Sequence, residues 1–279
     1  MTATAPTALP HNMAFIGGGN MASAIIGGLL AAGMQPEQIQ VVEPWAEARA
    51  ALQTRYGITA QASASPALQQ AQVVVWAVKP QTLREAAEQT RPHTPDALHL
   101  SVAAGIRTDS LARWLGSERI VRTMPNTPAL VGLGMTGLFA RAAVTPPERA
   151  LATAILASTG QCLWVDDEAQ LDVVTALSGS GPAYVFYFLE AMARAGTDMG
   201  LTPAQAHQLA VGTFVGAATL AQRSEDPPAV LRERVTSKGG TTYAALTSME
   251  HDQVAPHFER AMHAARHRAQ VLGDEFGAD

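Results

Sequence analysis

The chain has 279 residues, long for one domain and comfortable for two of ordinary size. At 47% hydrophobic and 15% charged residues it can bury a sizeable core, which excludes a disordered polymer. A net charge of −5 argues against a nucleic-acid binder, since such a partner's phosphates have to be neutralised.

The opening residues 1–12, MTATAPTALPHN, are rich in Ala, Thr and Pro and lack both Arg and an apolar core. They read as a flexible extension, not as a signal or transit peptide. From Met13 onward, short β-branched runs alternate with segments of helical length. The runs are Met13–Gly17, Ile39–Glu43, Val73–Val78, Leu98–Val102, Ile120–Met124, Met135–Ala140 and Cys162–Val165. Helical segments such as Met21–Ala32, Pro44–Arg55, Gln81–Gln89 and Pro147–Thr159 lie between most of them. This alternation predicts βαβ units and a mainly parallel, doubly wound sheet over residues 13–165. Cys162, the only cysteine, falls in an apolar run that reads as a buried strand. It permits no intrachain disulfide, and a cytoplasmic protein is expected.

After Val165 the strand signals stop. Helical patterns cover Glu168–Leu177, Ala183–Met199, Pro203–Ser224, Val230–Thr236, Thr241–Glu250 and His251–Phe276, so residues 166–279 are expected to be all-helical. Pro182, Pro203 and Pro228 fall near helix starts, where a missing N–H costs little. The stretch Leu209–Ala221, LAVGTFVGAATLA, is apolar or small on nearly every face and is too short to cross a bilayer. Such a helix has to be buried on all sides, and a second subunit is the natural cover. Arg260, Arg266 and Arg268 alternate with Ala and His at helical spacing and read as a solvated face.

The first strand runs into Gly17-Gly18-Gly19-Asn20-Met21-Ala22 and then an Ala-rich helix. This is G-x-G-x-x-A: Gly17 permits the tight turn, Gly19 the approach of a pyrophosphate, and Ala22 close packing of helix on strand. First-turn amides and the positive end of the helix dipole then face the phosphates. The context predicts an α/β Rossmann-type doubly wound sheet that binds NADPH or NADH. Glu43, ending the next strand, can accept hydrogen bonds from ribose hydroxyls, which leans toward NADH, although Arg49 lies nearby. Ala77-Val78-Lys79-Pro80 ends the Val73–Val78 strand at the edge where ligands of such sheets lie. Lys79, one of only two lysines, is either a solvated loop charge or a cofactor contact, and the second is preferred. Ala103, Ala104 and Gly105 would leave room for a flat nicotinamide ring. Asn126 either hydrogen-bonds its carboxamide or holds the Pro-flanked turn.

Two stretches of the helical part are unlike ordinary core. Leu177-Ser178-Gly179-Ser180-Gly181-Pro182-Ala183-Tyr184 falls at a helix junction, and Val235-Thr236-Ser237-Lys238-Gly239-Gly240-Thr241-Thr242-Tyr243 ends where a helix begins. Free amides at that start form an anion site suited to a carboxylate, beside the uncharged hydroxyl of Thr242. Ser178 and Ser180 have no His/Asp partners in sequence, and His263 and His267 lack the Glu of a zinc-protease pattern, so no hydrolase and no metal site is expected.

With these motifs the sequence resembles pyrroline-5-carboxylate reductase over nearly the whole chain after residue 12. The resemblance rests on Phe15 to Met21, the Ala-Val-Lys-Pro run, Arg122 to Pro128, Ser178 to Tyr184, and the segment PAVLRERVTSKGGTTYAALTSME over 228–250. Lys238 stands where many relatives carry Pro. The resemblance implies reduction of Δ1-pyrroline-5-carboxylate to L-proline, the last step of proline biosynthesis. It implies that Gly239, Gly240, Thr241 and Thr242 bind the substrate, that Thr242 also meets the ring nitrogen, and that Ser237 and Glu225 lie in or near the pocket. It implies too a homodimer through the helical domain, commonly assembled into decamers. A β-hydroxyacid dehydrogenase would need a lysine base, and none occurs between Lys79 and Lys238. A wider imine reductase or a non-catalytic cofactor sensor would share the same glycine turn and helical part.

Overall fold

The computed structural model describes residues 9–277. Seven strands and eleven helices follow in order: β1 (Met13–Ile16), α1 (Asn20–Ala31), β2 (Ile39–Val42), α2 (Ala46–Tyr56), β3 (Val73–Trp76), α3 (Pro80–Thr90), β4 (Leu98–Ser101), α4 (Thr108–Leu115), β5 (Ile120–Met124), β6 (Gly134–Ala140), α5 (Pro146–Ala157), β7 (Gly160–Trp164), α6 (Gln170–Val174), α7 (Gly181–Asp198), α8 (Pro203–Arg223), α9 (Pro228–Arg234), α10 (Thr241–His251) and α11 (Val254–Gly277). The chain divides into two compact units: residues up to Ser180 with those from Ala265 onward, and Gly181–Ala264 between them. The expected division at 165/166 is therefore not where the compact units part.

The first unit is one sheet in the order β2-β1-β3-β4-β5-β6-β7. Every neighbouring pair is parallel except β5–β6. That exception follows from chain length. Residues 125–133 hold only a short 3-10 turn, Thr127–Val131, too little for the crossover a parallel neighbour needs. Period-2 alternation puts Met13, Phe15, Val73, Val75, Leu98 and Leu100 on one face, packed with α1 and α5. Ala14, Ile16, Val74 and Trp76 point the other way, against Leu83 of α3 and Leu111 of α4. Both faces are covered, as the sequence predicts.

Three expectations are corrected. Residues 9–12 are anchored: Gln72 N donates to Asn12 O, His11 N to Gln72 Oε1, and Leu9 packs on the core. The rest of the expected extension lies outside the described residues. The strand holding Cys162 is an edge strand, with Cys162 half-buried and Leu163 51% exposed, because β7 pairs only with β6. Burial still pushes the Cys162 thiol pKa up. The single helix expected over Glu168–Leu177 is α6 followed by a π turn, Thr175–Gly179, closed by Ser180 N donating to Thr175 O at 2.8 Å.

The end of α11 joins the first unit through Arg107–Asp274 at 2.7 Å and Arg113 Nη2 donating to Gly277 O. Buried Arg122 of β5 meets Glu168 at 2.9 Å and Asp172 at 3.6 Å, and Thr108 donates to Glu168 through both its amide and its hydroxyl. These charges tie α6 to the sheet, although burial raises the Asp172 pKa.

In the second unit α7 and α8 run against each other. Each of the prolines flagged in the sequence lies in the first turn of its helix. Gln253, at φ 51°, separates α10 from α11, so the helix expected from His251 starts at Val254. Little of this unit is buried. Gly196, Ala206 and Ala210 are the buried residues of α7 and α8, and α9 and α10 have none. Leu209, Val215 and Leu220 of α8 lie 59–62% exposed, so within one chain the apolar helix is not covered. Among the described residues no helix is long and apolar enough to cross a membrane.

One buried group gives the fold a pH dependence. His99 on β4 is 1% exposed and accepts a hydrogen bond from Trp76 Nε1 at Nδ1, 3.2 Å away. Burial, with help from the Arg119 charge, lowers its pKa from 6.5 to about 4. The unfolded chain then binds the proton more readily than the folded one. The stability from a neutral His99 is full above pH 6.5 and is lost as pH falls toward 4, about 3 kcal/mol in all. Urea unfolding across that range should show this component in the wild type and lack it in His99→Asn. Equal pH slopes in the two proteins would contradict it.

Candidate functional site

Three strand ends converge on the glycine turn. Gly17 N donates to Val42 O and Ala77 N to Ile16 O, both at 2.8 Å. Gly17 sits at φ +97°, and a Cβ there would lie 2.6 Å from Ala77 O, so both conformation and space demand glycine. Beyond the turn, Gly19 caps α1 with no side-chain bond, and no acid lies in the helix's first turn. The first ladder bond runs from Ser23 N to Gly19 O, so the amides of Asn20, Met21 and Ala22 precede the ladder. A Cβ on Gly19 would meet nothing within 4 Å. An uncapped positive helix end under open space fits a pyrophosphate.

Glu43 is held differently from the sequence expectation. Its side chain is buried under the turn, where Oε2 accepts from Gly18 N at 2.7 Å and Oε1 from Trp45 N at 2.9 Å. Both oxygens are engaged by backbone amides, so the carboxylate braces the loop and gives no argument for NADH over NADPH. Arg49 Nη1 donates to the carbonyls of Glu43 and Pro44 and fixes the same corner.

A crevice of about 630 Å³ opens along these strand ends. Of the residues the motifs single out, Gly17, Gly19, Glu43, Ala77, Val78 and Lys79 line it. Lys79 is exposed at the N-cap of α3, with Pro80 at the first helical position. Residues that no motif singles out also line it, notably Trp45, Ala62, Ser63, Ala64 and Thr82. The 62–64 wall stands there because Gln61 pairs with the end of β2, its N–H bonding Val41 O and its carbonyl accepting from Glu43 N. No periodicity marks that segment.

Other expected residues fall outside the crevice lining. Ala103 and Gly105 are buried, and a Cβ on Gly105 would meet Leu272 of α11 at 3.3 Å. Gly105 therefore serves the packing of α11 in the first unit. Asn126 donates from Nδ2 to Ser178 O and accepts Met135 N at Oδ1. Of the two readings of Asn126, these bonds match the turn-holding one. The Ser-Gly-Ser stretch is packed on β5, since a Cβ on Gly179 would lie 2.5 Å from Met124 Cε.

The second unit carries the other motif. Gly239 adopts φ +74°, Gly240 N donates to Ser237 O, and a Cβ on Gly240 would lie 2.5 Å from Ser237 Oγ. Gly240 caps α10 without a side-chain bond, and its carbonyl accepts from Ala244 N. The amides of Thr241, Thr242 and Tyr243 precede the ladder, again at a helix start without acids. Thr242 is half-buried, while Ser237 and Glu225 are exposed. Among the described residues no group of His, Cys, Asp and Glu is arranged to hold a metal ion.

Comparison with known proteins identifies the lineage. A chain from Pseudomonas aeruginosa, a pyrroline-5-carboxylate reductase, is 45% identical over 267 residues, spanning 95% of this chain and 98% of that one. This chain belongs to the pyrroline-5-carboxylate reductase family. The family's dimerisation model, "Pyrroline-5-carboxylate reductase dimerisation", matches residues 168–272. A model described as "NADP oxidoreductase coenzyme F420-dependent" matches residues 12–105. The solved pyrroline-5-carboxylate reductase of Coxiella burnetii superposes with a TM-score of 0.88 at 38% identity, covering 94% of this chain and 98% of that one. The Plasmodium falciparum enzyme, solved with NADP bound, gives 0.84 at 28% identity, covering 94% and 98%.

The turn yields a direct expectation. In Gly17→Ala the residue must hold a left-handed φ against Ala77 O, a strain of about 1–3 kcal/mol that the loop relieves by moving. Titration by NADPH fluorescence should show affinity weaker by roughly 10-fold or more. Wild-type affinity in a folded variant would contradict the geometry.

Proposed function

We propose that this chain reduces Δ1-pyrroline-5-carboxylate to L-proline with NADPH or NADH, the last step of proline biosynthesis. The observation that carries the reading is 45% identity over nearly the full length of a pyrroline-5-carboxylate reductase. The nicotinamide, when bound, supplies the hydride. Gly17, Gly18, Gly19, Asn20 and Met21 would hold its pyrophosphate, with Ala77, Val78, Lys79 and Pro80 along the same edge. Ala103, Ala104, Gly105 and Asn126 are proposed to border the nicotinamide. Of these, Gly105 and Asn126 act through the packing and hydrogen bonds given above.

The substrate's carboxylate is assigned to the amides of Thr241 and Thr242 at the start of α10, with Gly239 setting the turn and Gly240, whose own amide donates to Ser237 O, at the N-cap. The uncapped, acid-free helix end supports this. The Thr242 hydroxyl is placed on the ring nitrogen. A threonine hydroxyl is a poor acid, so it orients an imine already protonated in preference to donating the proton itself. Ser237 lines the same pocket, and Glu225 stands near it.

The chain is proposed to work as a homodimer through its helical part, assembled further into a decamer. The exposed apolar residues of α7 and α8 support the pairing. A cytoplasmic setting is consistent with a lone, half-buried thiol.

Adding pyrroline-5-carboxylate with NADPH and then NADH should oxidise the cofactor in a substrate-dependent way. Thr242→Ala should lower kcat roughly 10-fold to 10³-fold, as expected for one positioned hydrogen bond or proton-transfer group. Unchanged turnover would remove Thr242 from the mechanism. Equal kcat/KM on a cyclic imine without a carboxylate would replace this reading with a general imine reductase. Sedimentation should find no stable wild-type monomer, and Val215→Asp should shift the population toward monomer.

A further inference from the structure

We infer that Trp45 is the stacking platform for the adenine base of the dinucleotide, a cofactor contact that no motif in the sequence marks. The inference rests on the dinucleotide-binding reading of the first unit and deepens it. Trp45 is 71% exposed, an unusual position for the largest side chain in a unit that buries Trp76 completely. It lines the same crevice as Gly17, Gly19 and Lys79. The indole stands on a fixed backbone: Trp45 N donates to Glu43 Oε1, its carbonyl accepts from Arg49 N, and Arg49 clamps the two preceding carbonyls.

Placement along the sheet selects the ligand part. In a doubly wound sheet the pyrophosphate lies on the glycine turn after β1, and the adenosine half lies toward the end of β2. Trp45 follows the end of β2 by three residues, as the N-cap of α2. The other crevice walls nearby are small, Ala62, Ser63, Ala64 and Ala86, which leaves space for a flat ring. A planar heteroaromatic base set on the indole removes two apolar faces from water and needs no hydrogen-bond readout. No charged side chain has to move, because the Glu43 carboxylate is already engaged under the turn.

The test uses the full chain and calorimetric titration with three probes: NADPH, adenosine 2′,5′-bisphosphate for one half, and reduced nicotinamide mononucleotide for the other. Trp45→Ala should weaken NADPH and adenosine 2′,5′-bisphosphate by the same factor, roughly 5-fold to 100-fold, the range for losing one base–aromatic stack. Binding of the mononucleotide should be unchanged, and Trp45→Phe should recover most of the loss. In steady state the KM for NADPH should rise with little change in kcat. Wild-type affinity of Trp45→Ala for adenosine 2′,5′-bisphosphate would overturn the inference, as would an equal loss for the mononucleotide. A Trp45→Ala protein altered only in sedimentation would make Trp45 an interface residue instead. If wild-type protein bound no NADPH, the dinucleotide reading itself would fall, a result distinct from a null effect at Trp45.

Discussion

The carboxylate of Glu43 accepts the amides of Gly18 and Trp45 from beneath the glycine turn, and the binding edge of the first unit is organised around that pair of bonds. Hydrogen bonds to an ionised acceptor are worth about 1.5–3 kcal/mol each, and losing this acceptor would strand a buried amide. The brace fixes Gly18 relative to β2 while Gly17 N reaches Val42 O and Gly17 itself passes close under Ala77. Strands β1, β2 and β3 are thereby locked at one edge. The start of α1 is left uncapped there, the polar environment that a doubly charged pyrophosphate needs.

The two units obtain their stability differently. The first buries both faces of a seven-stranded sheet and needs no partner for its core. In the second, Gly196, Ala206 and Ala210 are the buried residues of α7 and α8, while large apolar side chains on both helices face outward. A helical unit with so little core buries little apolar surface of its own to offset the cost of ordering the chain. The family model that matches residues 168–272 is described as a dimerisation domain, and oligomer formation would supply the missing cover. The same need for cover explains why Leu209–Ala221 is apolar on nearly every face.

Much of this was legible in the sequence, because backbone constraints leave residue signatures. Gly17, Gly19 and Ala22 declare a strand–turn–helix, and Gly239 and Gly240 declare the start of α10; at Gly17, Gly239 and Gly240 few other residues fit the φ value or the close approach. What stayed hidden depends on contacts between distant segments. Glu43 looked like a ribose ligand because its position in the chain permits that, whereas only the folded loop shows each of its oxygens accepting a backbone amide. Trp45 belongs to no motif, and the 62–64 wall owes its place to Gln61 pairing with β2. The antiparallel β6 and the exposed Leu163 of β7 reflect loop length and edge position, to which hydrophobic runs are blind. Asn126 was ambiguous because both of its readings use the same amide, and its bonds to Ser178 and Met135 appear only in the fold.

Diffraction from crystals of the chain with bound NADP⁺ tests the central claim most directly. Pyrophosphate oxygens should lie about 2.7–3.2 Å from the first amides of α1. The Glu43 carboxylate should still sit on Gly18 N and Trp45 N beneath the turn. Pyrophosphate density away from Gly17–Gly19, or a Glu43 side chain swung out to the ribose with those amides released, would contradict it.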